Sequence, residues 1–175
     1  MILLLNGAFG IGKTTAARAL VRRFPRAVLY DPEVIGIALQ RVARLTGRKV
    51  DDFQDLPLWR RLTIAALRVT RLVWPDVVVP MAFSNLAYLD EIRAGLARFE
   101  PHVHHFCLIA PVEVVHERLR TRGSTPENDP WGYRRAAECC LVHGRDEFST
   151  HVIASGRSPD QIADELLAMV KGRRA

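Results

Sequence analysis

Cysteine is scarce in this chain. Its 175 residues hold only three, Cys107, Cys139 and Cys140. The number is odd, no CxxC pair occurs, and adjacent cysteines seldom bond to each other. A disulfide framework and a zinc ligand set are therefore excluded, and free thiols in a reducing cytosol are expected. Lysine is scarce too: Lys13, Lys49 and Lys171 are the only ones among 25 basic residues, which leaves 22 arginines. No apolar run approaches the roughly 20 residues that a membrane span needs. The apolar start, Met1 to Leu5, is too short for a signal sequence and lacks a basic leader, so no targeting segment is expected. Repeats and low-complexity segments are missing as well. What remains is 49% hydrophobic and 25% charged, the make-up of one globular domain spanning residues 1–175 and not of a disordered, collagenous or coiled-coil chain. The net charge of +6 is carried almost wholly by arginine, which suits an anionic ligand; codon bias explains it equally well.

Strand and helix patterns alternate along the chain. Strands are expected at Ile2 to Asn6, Ala27 to Tyr30, Asp76 to Val79, Val103 to Ile109 and His151 to Ala154. The first is apolar throughout, as in a strand buried on both faces. Helical spacing covers Thr14 to Arg23, Glu33 to Leu45, Leu58 to Val73, Ser84 to Phe99, a segment opened by Pro111, and Trp131 to His143. In the second helix Val34, Ile37, Ala38, Val42 and Leu45 share one face. A last helix starts with Ser158 as N-cap and turns Ile162, Leu166 and Val170 inward. The fold class is therefore α/β, with a five-stranded parallel, doubly wound sheet and helices on both faces.

Residues 7–14 read GAFGIGKT, a full match to the phosphate-binding loop GxxxxGK[ST]. Gly7, Gly10 and Gly12 let the backbone of Gly7, Ala8, Phe9, Gly10, Ile11 and Gly12 turn its N–H groups onto phosphate oxygens. Lys13 supplies a point charge, Thr14 a hydroxyl for Mg²⁺, and Thr15 continues the helix whose dipole adds to the site. The motif follows an expected strand and opens an expected helix, which is its confirming context. Nucleotide binding on a P-loop kinase scaffold follows, with ATP and Mg²⁺ as ligands. In such enzymes an acid at a strand end helps hold Mg²⁺. The valine strand offers none, since it runs into Pro80 and Met81. Asp31, after the second strand, can hold Mg²⁺, accept a hydroxyl proton, do both, or merely form an Asx-turn before Pro32. Glu33 reads as a first-turn acid favoured by the helix dipole.

Arg118, Arg120 and Arg122 precede the polar loop 123–130, and Arg134 and Arg135 follow it. That layout fits a lid at about 120–136 that closes over phosphates. Arg118 would stack on the base and Arg122 would reach the transferring phosphate, unless the arginines are only a solvated helix face. Gly156 and Arg157 sit where the adenine edge would lie. An acceptor region is expected at about 32–73. Asp52, Gln54, Trp59 and Arg60 are its candidates, with Met81 and Phe83 past the third strand. Core packing for Trp59 and an Arg60–Asp52 ion pair are the plainer alternatives. The spacing of His102, His104 and His105 is not that of a metal site.

NGAFGIGKT (6–14), YDPE with Gly36, DDFQ with PLWR (51–60), VPM (79–81) and VHHF (103–106) together resemble the bacterial tunicamycin resistance protein family. The resemblance is good to about residue 123 and loose beyond. It implies a cytosolic, ATP-binding relative of small-molecule kinases such as adenylate and shikimate kinase. It also implies resistance to tunicamycin, a uracil-bearing nucleoside antibiotic. Gly7, Gly10, Gly12, Lys13, Thr14, Asp31, Gln54, Trp59 and Arg60 are its matched positions. The family archetype carries a longer amphipathic tail linked to membrane association. Here Lys171, Arg173 and Arg174 come soon after the last helix, and such a basic tail alone gives at most a weak, salt-sensitive attraction to a membrane surface. The readings are an ATP- and Mg²⁺-dependent phosphotransferase acting on a small-molecule hydroxyl, or an ATP-dependent drug binder without catalysis. A nucleic-acid partner is not expected, because no reader motif or aromatic-interleaved basic patch occurs.

Overall fold

The computed structural model describes residues 1–172; the Arg173–Arg174 tail lies outside the described residues. Five parallel strands form one sheet: β1 (Ile2–Gly7), β2 (Ala27–Leu29), β3 (Asp76–Met81), β4 (Val103–Ile109) and β5 (Thr150–Ile153). Their spatial order is β2-β3-β1-β4-β5, all parallel. β1 is buried along its whole length, with Leu4 opposite Val79 on one side and His105 on the other. Its side chains alternate between two cores, as the period of two requires. Leu3 and Leu5 pack with α1 (Lys13–Val21), α5 (Val112–Thr121), α6 (Pro130–His143) and α7 (Pro159–Gly172). Ile2 and Leu4 pack with α3 (Pro57–Val73) and α4 (Leu86–Ala97). The sheet is thus wound on both faces, and the chain switches direction at β1, where such folds bind ligands.

Two details differ from the sequence reading. β3 continues through Pro80 to Met81. Val77 donates to Met1 on the β1 side and Val78 accepts from Tyr30 on the β2 side, so by alternation the nitrogen of Pro80 points past the end of three-residue β2. A missing N–H costs nothing there. Pro111 is the N-cap of α5 and not its first turn. The sequence left open which way the apolar stripe of α2 (Glu33–Leu45) turns. It faces outward: Leu45 is 88% exposed, and Val34, Ile37 and Val42 are exposed with it. Only Gly36 of this helix is buried, and a Cβ there would lie 2.4 Å from the Phe53 ring. That close approach seats the Phe53–Asp55 turn against α2.

Ser158 caps α7 reciprocally: its Oγ accepts from the Gln161 amide at 3.2 Å, and Gln161 Oε1 accepts from the Ser158 amide at 2.8 Å. No described helix is long and apolar enough to cross a membrane.

Two buried histidines make the fold acid-sensitive. Burial and the neighbouring Arg93 guanidinium hold His105 at about 3. Burial likewise holds His143 at about 4, although its Nε2 bonds the Phe83 carbonyl at 2.6 Å. Both folded values lie below the unfolded 6.5, so their contribution is complete above pH 6.5 and is lost as the pH falls toward 4. Each imidazole costs about 1.4 kcal/mol per pH unit in that window. Together the two imidazoles remove about 4 kcal/mol between pH 8 and pH 5, offset in part by Glu33 and Asp52, whose carboxyls burial raises, and urea unfolding is expected to give the lower stability at pH 5. A stability that stays flat between pH 8 and 5 would contradict the neutral, buried state of both rings.

Candidate active site

The phosphate loop joins β1 to α1. Gly10 and Gly12 have φ of 79° and 101°, a left-handed backbone that only glycine adopts without strain. A Cβ on Gly7 would meet Ile11 at 3.0 Å and Leu108 at 3.2 Å. The loop wraps Lys13, which is 7% exposed; its Nζ donates to the Ala8 carbonyl at 3.3 Å and lies 5.0 Å from the Phe9 ring centroid. Burial pushes the Lys13 ammonium below its ordinary value, Arg122 pushes the same way, and Glu33 and Asp31 oppose them. Thr14 and Thr15 occupy the first turn of α1.

On one side of the loop is a cavity of about 280 Å³. Ile11, Gly12, Thr15, Arg118, Arg122 and Arg157 are among its walls. Arg118 spans two elements, donating to the Ile11 carbonyl at 2.5 Å and to the Ala154 carbonyl at 2.8 Å. Its guanidinium therefore braces the loop against the end of β5. Arg157 pairs with Glu165, and Gly156, with φ of 69°, turns the chain beside it.

On the other side is a cavity of about 430 Å³, between the loop, α2, the 51–53 segment and α6. Phe9, Glu33, Ile37, Asp52, Phe53 and Trp131 help to line it. Of these, Phe9 and Asp52 were expected as site residues; Glu33, Ile37 and Phe53 fall within the expected 32–73 acceptor region and Trp131 within the 120–136 lid without being singled out for the site. The others are a first-turn acid, an apolar position and two aromatics, which no linear motif distinguishes from packing residues. Trp131 meets Phe9 edge-on at 5.2 Å, so the start of α6 rests on the phosphate loop. Burial raises the Glu33 carboxyl, with Lys13 opposing and Asp31 and Asp52 reinforcing the rise. Asp31 Oδ1 accepts from the Glu33 amide at 3.0 Å. The turn that was the plainer alternative for Asp31 thus exists, and it joins two carboxylates whose charges act on Lys13.

The acceptor candidates separate. Asp52 and Gln54 line a neighbouring cavity of about 270 Å³ with Ser84, Arg134 and Arg135. Arg135 is committed there: it bonds Asp52 Oδ2 at 3.1 Å, Gln54 Oε1 at 3.4 Å and Ser84. It ties α6 to the acceptor segment instead of standing free in the lid loop. Trp59 and Arg60, expected in the pocket, are behind its wall. Trp59 is 1% exposed, donates Nε1 to the Pro32 carbonyl at 2.9 Å and packs on Phe53 and Phe83. Arg60 pairs with Glu91 at 2.5 Å, donates to the Gln54 carbonyl and lies over the Tyr88 ring, so the Arg60–Asp52 pair does not form. Met81 and Phe83 are also core: the Phe83 amide donates to Asn6 Oδ1 at 2.8 Å and its carbonyl accepts from Asn6 and His143. Burial keeps Cys107 and Cys139 protonated, with values of about 12 and 11. No cluster of three or more metal-ligating side chains occurs among the described residues.

Sheet order and phosphate loop define a P-loop, kinase-like protein. The AAA domain family model matches residues 2–132. The tunicamycin resistance protein of Deinococcus radiodurans is 33% identical, with a TM-score of 0.79 over 97% of this chain and 94% of that one. The chain belongs to the tunicamycin resistance protein family of AAA-domain, P-loop kinase-like proteins. A gluconokinase from Sinorhizobium meliloti is 16% identical, with a TM-score of 0.70 over 97% and 90% of the two chains. An Acinetobacter baumannii shikimate kinase is 17% identical, with a TM-score of 0.61 over 98% and 93%. These two share the fold. No curated protein matches the sequence.

Proposed function

We propose that the chain is an ATP- and Mg²⁺-dependent phosphotransferase acting on a hydroxyl of a nucleoside-like antibiotic, tunicamycin or a related small molecule, in the cytosol. The observation that carries this reading is a phosphate loop with a buried lysine and a cavity on either side of it, together with Asp31 and Glu33, joined in one turn, whose charges act on that lysine. The cavity at Arg118, Gly156 and Arg157 takes the nucleoside, and the 7–15 segment takes the phosphates. The cavity at Glu33, Asp52 and Trp131 takes the acceptor, with Gln54 behind it. The lid is the 120–136 segment, with Arg122, Arg134 and Arg135 around it.

The acceptor oxygen attacks the γ-phosphorus, the bond to the β,γ-bridging oxygen breaks, and ADP leaves with that electron pair. The hydroxyl proton passes to Asp31, while Lys13 and Arg122 offset charge on the transferring oxygens. The Thr14 hydroxyl and the Asp31 carboxylate are oxygen donors that suit a hard cation, in agreement with the acids gathered beside Lys13. Mg²⁺ held by them would neutralise the β- and γ-phosphates.

One observation favours a second reading, ATP-dependent drug sequestration: the end of β3 carries no carboxylate. Mass spectrometry of tunicamycin incubated with protein, ATP and Mg²⁺ separates the two. A phosphorylated product is expected, and Asp31→Asn is expected to lose it. Drug recovered unmodified while still bound in the presence of ATP would sink the kinase and leave the binder.

A further inference from the structure

Ten of the twelve large apolar side chains that are exposed among the described residues lie on α2, on α3 or at Trp74 just after it. A single-domain protein seldom clusters them so. On α3 the exposed positions Leu58, Leu62, Ala65, Val69 and Leu72 recur at steps of four, three, four and three. That spacing keeps them on one stripe for the whole helix. Leu72 is 83% exposed, and Trp74 closes the stripe. The opposite side of α3 supplies Trp59, Thr63 and Leu67 to the core, so the exposed stripe is a second apolar face and not a misplaced core face. On α2, Val34, Ile37, Val42 and Leu45 are likewise exposed.

Apart from Glu33 in the first turn of α2, the charged residues of these helices are all arginines. Arg41, Arg44, Arg61 and Arg68 are exposed and belong to no ion pair among the described residues. Arg61 and Arg68 directly precede Leu62 and Val69, and so border the stripe. Two copies packed antiparallel along α3 would set these arginines against each other, which opposes self-association. A negatively charged, apolar-cored surface satisfies both features. Arginine stems lie on apolar groups while their heads meet anionic headgroups, and a tryptophan at the rim suits the interface.

We propose that the α2–α3 face docks on anionic lipid bilayers. It acts as an interfacial surface and not as a span. Ile37 belongs both to this face and to the acceptor cavity, so docking would turn the mouth of that cavity toward the bilayer.

The test is co-sedimentation of the full chain with vesicles of phosphatidylglycerol and phosphatidylcholine, against phosphatidylcholine alone. Pelleting with the anionic vesicles only is expected. Leu62→Glu with Val69→Glu, both at exposed positions, should lower the apparent affinity at least tenfold. Arg61→Gln and Arg68→Gln should each lower it roughly fivefold, and binding should weaken with added salt. Leu141→Glu, on α6, should bind as the parent does; so should Arg173→Gln with Arg174→Gln, which removes the basic tail. Circular dichroism and nucleotide binding of each variant show that its fold is kept. Four results would overturn the proposal: no pelleting, equal pelleting with neutral vesicles, loss of binding in the tail variant alone, or a vesicle-free dimer that Leu62→Glu dissociates.

Discussion

Lys13→Ala is expected to lower ATP affinity by ten- to a hundredfold and phosphoryl transfer on the order of 10³-fold, while leaving the fold intact. The first figure is the worth of a charge-assisted hydrogen bond inside a protein, about 1.5–3 kcal/mol. The second is what one preorganised donor to a developing negative charge contributes. The stability part follows from the cost of holding the side chain where it is. Lys13 is buried in its own loop, burial depresses its ammonium, and in the described structure its Nζ bonds a single carbonyl. Such a group is kept for what it binds, because the fold gains little from it. Thermal unfolding without nucleotide should therefore change by no more than about 1 kcal/mol. Stabilisation by added ATP, several degrees for the parent, should vanish in the variant. Nucleotide titrations followed by melting temperature read both quantities together. An unchanged ATP-dependent shift would contradict the assignment of the loop.

The contrast between Lys13 and Glu33 shows which parts of this site a linear sequence displays. The phosphate loop was legible because eight consecutive residues carry it and the flanking strand and helix confirm it. The parallel sheet was legible because β1 and β3 are apolar without alternation. The acceptor side was not. Asp52 and Arg135 meet across 83 residues, and Phe9 meets Trp131 across 122. Trp59 and Arg60 sit in the right segment but on the inner side of α3, and no pattern in 51–60 reveals which side the cavity takes. The orientation of α2 was lost for a related reason. Its periodicity marks an apolar face without stating what that face meets. β2, beside it in the chain, is a three-residue edge strand, too short to offer the helix a core to cover.

Glu33→Gln is expected to weaken acceptor turnover and, at neutral pH, to raise stability. Its carboxyl lies in the acceptor cavity, where burial lifts it above the ordinary 4.5 and the Asp31 and Asp52 charges lift it further. A folded value above the unfolded one means that the native state holds this proton more tightly. The ionised group therefore costs stability above that raised value, and the cost disappears as the pH falls toward 4.5. Glutamine keeps the shape and removes the charge. The variant should unfold at a higher temperature than the parent at pH 8 and at the same temperature near pH 4.5, once the buried histidines, common to both proteins, are cancelled by subtraction. Asp31→Asn keeps an oxygen that accepts the Glu33 amide, so the turn that opens α2 is retained while the proton acceptor is lost. It should lose activity by 10²- to 10⁴-fold, as for a group that takes a proton in the reaction, with no comparable gain in stability. The pH dependence of turnover separates the two carboxylates further. If ionised Glu33 orients the acceptor, the acidic limb of the profile should be flattened in Glu33→Gln. A variant that keeps the parent profile and gains no stability at pH 8 would show that Glu33 serves only the first turn of its helix.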